Sequence, residues 1–321
     1  MSNKFFFRSA LISTILSYLL IFVGGLVRVS GSGLGCPDWP KCFGRWVPPT
    51  SIEQIPAHID PTAFNIVLAW IEYCNRLFGA IVGISIMVTL YYGVKYYGKY
   101  PKVKWSIIIA FLLTLFQGWL GSVLVKTVLN PITITLHLLF ALIIVMLLIY
   151  ASQQSYYLEY IEEEKISRYP PNMGAIFNIM AALLLIEVIL GTEIRGGLEM
   201  IRKENPMIQS EFLLKMLGPF KYAHSIIGVT LTFISGYVWY KLVKSSINPS
   251  SLIVNASTIL CVLIFLQIVT GEVLVFLDFK PLVQLSHLWI ASGILGLVTL
   301  DWTEQTTTAV SYTHLRAHET G

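Results

Sequence analysis

The feature that most limits what this chain can become is a series of apolar blocks, each about as long as a bilayer is thick. They fall at about 9–29, 70–94, 105–125, 131–150, 174–194, 221–240, 252–277 and 281–300. Roughly 20 residues of α-helix, rising 1.5 Å each, cross ~30 Å of hydrocarbon. Composition agrees: 55% of the 321 residues are hydrophobic and 12% charged, against about 25% charged in an ordinary soluble domain. The chain reads as an all-α integral membrane protein with eight transmembrane helices, which puts both termini on one side. Lys4 and Arg8 precede the first block, as in a signal peptide. However, the block is longer than a usual signal-peptide core and no A-x-A-like site follows, so it reads as a retained span.

The net charge of +4 gathers into no basic run of the kind that tracks phosphates. Nucleic acid is excluded as a partner on that ground, and lipid is the expected surround. The Lys/Arg tally does not separate the two sides of the membrane. Lys4, Arg8 and the cluster Lys95, Lys99, Lys102, Lys104 favour both termini on the cytoplasmic side of a multi-pass protein of the cell membrane. The tail from Thr306 to Gly321, "TTTAVSYTHLRAHETG", has no apolar periodicity and reads as a non-native or out-of-frame extension. The i,i+4 spacing of His314 and His318 within it is then chance.

The second constraint is internal repetition. "FQGWLGSVLV" (116–125) aligns with "LQIVTGEVLV" (266–275), and "PITITLHLLFA" with "PLVQLSHLWIA", both 150 positions on. Gln117 falls on Gln267, Gly121 on Gly271, Pro131 on Pro281 and His137 on His287. "EYCNRLFGAIVG" aligns with "KYAHSIIGVTLT" at 149, placing Asn75 on His224 and Glu72 on Lys221. "VGGLVRVSGSG" matches "ILGTEIRGGLE" more weakly, with Arg28 on Arg195. Spans 1–4 and 5–8 thus read as two pseudo-repeated four-helix bundles of like orientation. The expected divisions are an N-terminal bundle at 1–151, a solvated linker at 152–173 and a C-terminal bundle at 174–305. The linker contains Glu162-Glu163-Glu164 and Pro170-Pro171, and the tail occupies 306–321.

Three histidines lie inside spans: His137, His224 and His287. A single one is commonly an interhelical hydrogen-bonding residue. Here, however, His137 and His287 each follow a helix-starting proline by six residues, about 9 Å along the axis. His224 stands near the start of its own helix, so all three share a depth. Within one bundle His224 and His287 can face each other, as two axial ligands of a haem iron do. Zinc would want further Cys, Asp or Glu ligands, and the two helices carry none near the histidines. The first bundle has Asn75 in place of the second imidazole, so it offers His137 alone and leaves one face open. Closed sites suit electron transfer and open ones chemistry.

Glu72 stands one turn from Asn75, where a partly desolvated carboxyl can serve as acid or base. An i,i+4 pair with Arg76 accounts for the same residue equally well. Arg28, Arg76 and Arg195 lie at outer helix ends, suited either to haem propionates or to snorkelling. Glycines Gly79, Gly83, Gly121, Gly228, Gly271 and Gly293 thin the helix walls, for a flat macrocycle or for helix packing. Cys74 and Cys261 read as packing residues. In "GCPDWPKCFGRW", Cys36 and Cys42 favour a small disulfide loop on an oxidising face, either redox-active or purely structural.

Taken together, "FVGGLVRVSGSGLGCPDWPKCFGRWVPP", "EYCNRLFGA", "LHLLF", "KYAHSIIG" and "LSHLWIA" make nearly the whole chain resemble the heme A synthase family. The resemblance implies a haem b cofactor in the C-terminal bundle on His224 and His287, with Arg195 beside it. Haem O, the substrate, would lie in the N-terminal bundle near His137, with Arg28 and Arg76. The implied reaction oxidises a porphyrin methyl group to a formyl group by successive hydroxylations, giving haem A. Glu72 would be the acid/base, Asn75 would shape the open face, and Cys36 and Cys42 would form a redox-capable pair. The implied partners are an electron donor that it does not identify, with haem O synthase or terminal oxidase subunits. The family commonly has histidine at Asn75, and some members carry a second cysteine pair after helix 5 that is absent from "GTEIRGGLEMIRKENPMIQ". A non-catalytic di-haem electron carrier and a haem-delivery factor are the alternatives.

Overall fold

The computed structural model describes residues 3–160, 169–205, 207, 210–247 and 249–319. Its helices are α1 (Asn3–Val29), α2 (Ile66–Tyr97), α3 (Pro101–Lys126), α4 (Pro131–Tyr160), α5 (Met173–Glu204), a short α6 (Ser210–Met216), α7 (Phe220–Ser245), α8 (Ser251–Phe276) and α9 (Pro281–Glu319). Eight of these are long and apolar enough to span a bilayer. Most cover their apolar block and continue past it, α4, α5 and α9 by ten residues or more. A helix propagates on local backbone bonds once nucleated, whatever the side chains prefer as solvent.

The helices close into two rings. In the first, α1 packs on α2, α2 on α3, α3 on α4 and α4 on α1; in the second, α5, α7, α8 and α9 follow the same cycle. The rings meet where α1 and α4 lie against α9 and α4 against α5. This seam is dry. Ile21, Leu142 and Val145 from one side join Phe177, Met180, Leu295 and Val298 from the other in a single buried cluster. Outward, the helices present Ile12, Ile84, Leu115, Ile186, Phe233 and Phe265. That much exposed apolar surface suits lipid and not water. Polar side chains turn inward instead: Ser13 hydrogen-bonds Ser85 at 2.7 Å and Thr89 at 2.9 Å, tying α1 to α2.

The connections α3–α4 and α8–α9 share one backbone shape. Val128 and Leu129 have φ of 52° and 57°, and Asp278 and Phe279 have 54° and 55°. These left-handed residues are unusual for non-glycine side chains. They let Leu129 N–H return to Leu124 C=O (2.9 Å) and Phe279 N–H to Leu274 C=O (2.8 Å), satisfying carbonyls at the helix end. Each turn delivers the chain to the proline that starts the next helix, and so fixes where His137 and His287 fall.

Helix runs past two of the expected boundaries. α4 continues to Tyr160 with Gln153, Gln154 and Ser155 buried, so the linker expected at 152–173 begins as helix. α9 likewise runs on through the supposed foreign tail to Glu319, and Gln154 donates to Thr307 Oγ1 at 2.6 Å. Absence of apolar periodicity did not end that helix, because Thr306 and Thr307 return their hydroxyls to carbonyls of the preceding turn. Glu162–Glu164 and the side chains of His314 and His318 lie outside the described residues.

Candidate functional site

The three intramembrane histidines lie toward the end where α1, α3, α5 and α8 finish and α2, α4, α7 and α9 begin. In the second ring His224 on α7 and His287 on α9 face each other across the diagonal. Their ring centroids are 6.4 Å apart and their planes are inclined by 59°. Each Nδ1 edge is engaged from a neighbouring helix. Glu187 Oε2 on α5 lies 2.5 Å from His224 Nδ1, a close contact outside hydrogen-bond alignment. Thr270 Oγ1 on α8 lies 3.0 Å from His287 Nδ1. Glycines back both rings: a Cβ on Gly191 would stand 3.5 Å from His224 Cε1, and one on Gly271 3.4 Å from His287 Cε1. Two imidazoles so held can share one metal ion between them.

The carboxylate near His224 was missed by inspecting α7 and α9 alone, since it comes from a third helix. The available signal was an isolated ionisable residue, Glu187, inside an apolar span. Thr270 gave none, because threonine is common in such helices.

The first ring is built differently. Gln117 on α3 donates to the backbone carbonyl of His137 at 2.7 Å, holding that turn of α4. Neither His137 Nδ1 nor Asn75 Oδ1 has a hydrogen-bond partner among the described residues, although both atoms are buried. A Cβ on Gly24, Gly118 or Gly121 would meet nothing within 4 Å, so the walls here leave space.

Glu72 is 4% exposed and fully engaged. Its Oε2 accepts from Cys36 N–H at 2.8 Å, and its Oε1 accepts from Arg76 Nε at 3.0 Å and from Arg76 Nη2. The i,i+4 pair weighed above is therefore present. Arg76 reaches further, donating to the carbonyls of Asp38 (2.7 Å), Lys41 (2.9 Å) and Cys36 (3.3 Å). Together the pair clamps the loop closed by the Cys36–Cys42 disulfide onto α2. Cys36 and Cys42 are 0% and 1% exposed beneath Phe43, Phe64 and Tyr73. Lys221, at the position matching Glu72, makes the converse contact: its Nζ donates to Leu214 C=O at 2.7 Å, anchoring the loop before α7. An acid captures an N–H in one half, and a base captures a C=O in the other.

The arginines do not all stand apart. Arg28 pairs with Glu199 at 3.1 Å, bridging α1 to α5 across the seam, and Arg195 lies in the field of both. Thr135 Oγ1 on α4 lies 2.9 Å from Thr192 Oγ1 on α5, another polar contact between the rings.

Eight spanning helices in two rings, with imidazoles sunk in one end, define a polytopic membrane protein with an internal histidine site. Residues 8–299 match the family described as cytochrome oxidase assembly protein, and the chain belongs to that family. Among curated relatives, the heme A synthase of Shewanella oneidensis is 34% identical over 149 residues, 43% of each chain. That of Ehrlichia canis is 29% identical over 225 residues, 62% of each. That of Geobacillus kaustophilus is 29% identical over 127 residues, 40% of this chain and 35% of its own. Each alignment spans less than two thirds of the relative's length.

Proposed function

We propose that this protein is a heme A synthase: a membrane oxidoreductase that oxidises a methyl group of haem O to a formyl group, yielding haem A for terminal oxidases. The relatives carry that name, and the pairing of His224 with His287 is the observation that carries the reading. A metal–imidazole bond of ~2 Å at each side, plus ~1 Å from nitrogen to ring centre, gives ~6 Å between two imidazoles on one metal. The observed 6.4 Å fits that sum. Among the described residues no three His, Cys, Asp or Glu gather to hold a bare ion. A tetrapyrrole, which brings its own equatorial nitrogens, suits a site offering only two.

His224 and His287 would hold haem b, with Arg195 toward its propionates, and the bound group would supply one-electron transfer. His137 would hold the iron of haem O, and Asn75 would leave the opposite face free for oxidation chemistry. Arg28, which already spans the seam to Glu199, stands where a propionate of the substrate would emerge. Glu72 and Arg76 secure the disulfide loop over the mouth of the first bundle, so any acid/base role of Glu72 requires the clamp to loosen. Cys36 and Cys42, both buried, act as the clip that shapes this loop. A purely electron-carrying pair of haems would want two closed sites, and Asn75 stands where one imidazole would be.

The histidine end faces the oxidising side, in keeping with the disulfide, and both termini lie in the cytoplasm. An electron donor and a haem-accepting oxidase complete the expected partners. Pigment extraction from membranes supplied with haem O is the test. Haem A should accumulate with the intact chain and disappear with His137→Ala, while His287→Ala should abolish the low-spin spectrum of the second bundle. A chain that retains haem but makes no haem A would overturn the enzymatic assignment.

A further inference from the structure

We propose that Glu187 and Thr270 are positioning residues that orient the two facing histidines through Nδ1 and thereby set the reduction potential of the group they hold. The inference rests on the haem reading of the second bundle.

At His287 the contacts of Thr270 bear on which nitrogen the ring presents. Thr270 has one hydroxyl proton, and Oγ1 lies 3.1 Å from Gln267 C=O, to which it donates. Toward His287 Nδ1, 3.0 Å away, the same oxygen can then only accept, so Nδ1 carries the proton. Glu187 Oε2 faces the same edge of His224, 2.5 Å from Nδ1, close enough to bear on the ring's orientation although outside hydrogen-bond alignment. His287 is left with Nε2 as the free, basic nitrogen. Outer partners of this kind fix ring orientation and raise ligand basicity.

The two halves of the chain also differ at these positions. At the repeat offset of 150, Thr270 corresponds to Leu120. At the 167 that brings Arg28 onto Arg195, Glu187 corresponds to Leu20. The backing glycines persist, since Gly271 matches Gly121 and Gly191 matches Gly24. Where His287 Nδ1 has Thr270, its counterpart His137 Nδ1 is buried without a partner among the described residues. A resident electron-transfer group gains from ligands locked in orientation and made strongly donating. A molecule that enters, reacts and leaves is better served by a ligand free to turn.

A basic axial ligand stabilises the higher charge on the metal, and a carboxylate does more for ligand basicity than a hydroxyl. Glu187→Gln should therefore keep the low-spin haem but lower its oxidised-to-reduced ratio at fixed potential by tenfold or more, about 59 mV upward for one electron. Thr270→Val, nearly isosteric, should shift the ratio in the same direction by less, and Thr270→Ser should restore it. The measurement is a spectroscopic redox titration of the purified full-length protein, with electron paramagnetic resonance of the oxidised form recording ligand orientation. Potentials and spectra unchanged within twofold in both Glu187→Gln and Thr270→Val would overturn the inference and leave the site assignment standing. If Glu187→Gln loses its haem, Thr270→Val decides alone: an upward shift supports the inference and no shift refutes it. Absence of a low-spin haem from the unaltered protein would instead refute the underlying reading.

Discussion

Arg76→Ala tests the loop clamp most directly. The Arg76 and Glu72 side chains are 15% and 5% exposed, so this is a buried pair and not a screened surface contact. Removing the guanidinium leaves the Glu72 carboxylate with the Cys36 N–H, and strips a donor from the carbonyls of Asp38, Lys41 and Cys36. Losing one partner of a buried pair costs about 3–5 kcal/mol. At ~1.4 kcal/mol per factor of ten, opening of the loop should become easier by roughly a hundredfold to a few thousandfold. Because both disulfide sulfurs are buried, a reductant reaches them only in the opened form, and its rate tracks the opening equilibrium when reclosing is fast. The assay blocks the free thiols Cys74 and Cys261, applies dithiothreitol, and follows new thiols at Cys36 and Cys42. Arg76→Lys should fall between, since an ammonium keeps the charge but not the planar fork that meets several acceptors at once. Reduction of Arg76→Ala within threefold of the unaltered rate would show that the clamp does not hold the loop.

Other perturbations follow from close packing. A Cβ on Gly35 would strike the carbonyl of Leu68 and stand 2.9 Å from Ala69 N, helix backbone that cannot yield. Gly35→Ala should therefore lift the loop and accelerate disulfide reduction as Arg76→Ala does. Gly296→Ala would drive its methyl into the Tyr18 hydroxyl at the seam between the rings, at a cost of about 1–3 kcal/mol. Adding Tyr18→Phe should return part of that in thermal unfolding of the detergent-solubilised protein, and a purely additive double mutant would contradict the contact. Thr135→Val removes the bond to Thr192 and should lower stability by about 0.6 kcal/mol, at most ~1.7, in the same assay.

Much of the site was legible from residue positions alone. Proline starts and the fixed rise of a helix put His137 and His287 at one depth, and the repeat added His224 and the asymmetry at Asn75. The pairing of Cys36 with Cys42 followed from their separation in a loop. Glu187 escaped notice because its significance depends on α5 being turned toward α7, and helix rotation leaves little trace in spans that are apolar all round. Glu72 admitted two readings for a similar reason: the i,i+4 spacing permits the Arg76 pair, but only the folded loop brings the Cys36 N–H to its other oxygen.

The chain by itself determined the number of spans, their limits to within a turn or so at most ends, and the common depth of the imidazoles. All of these depend on distances along one helix, which the backbone geometry fixes. The tertiary structure alone decided which ring edges meet Glu187 and Thr270, how Glu72 and Lys221 hold opposite backbone groups, and that Arg28 reaches Glu199 across the seam. Those contacts join residues far apart in sequence, and they exist only once neighbouring helices have settled their rotations against one another.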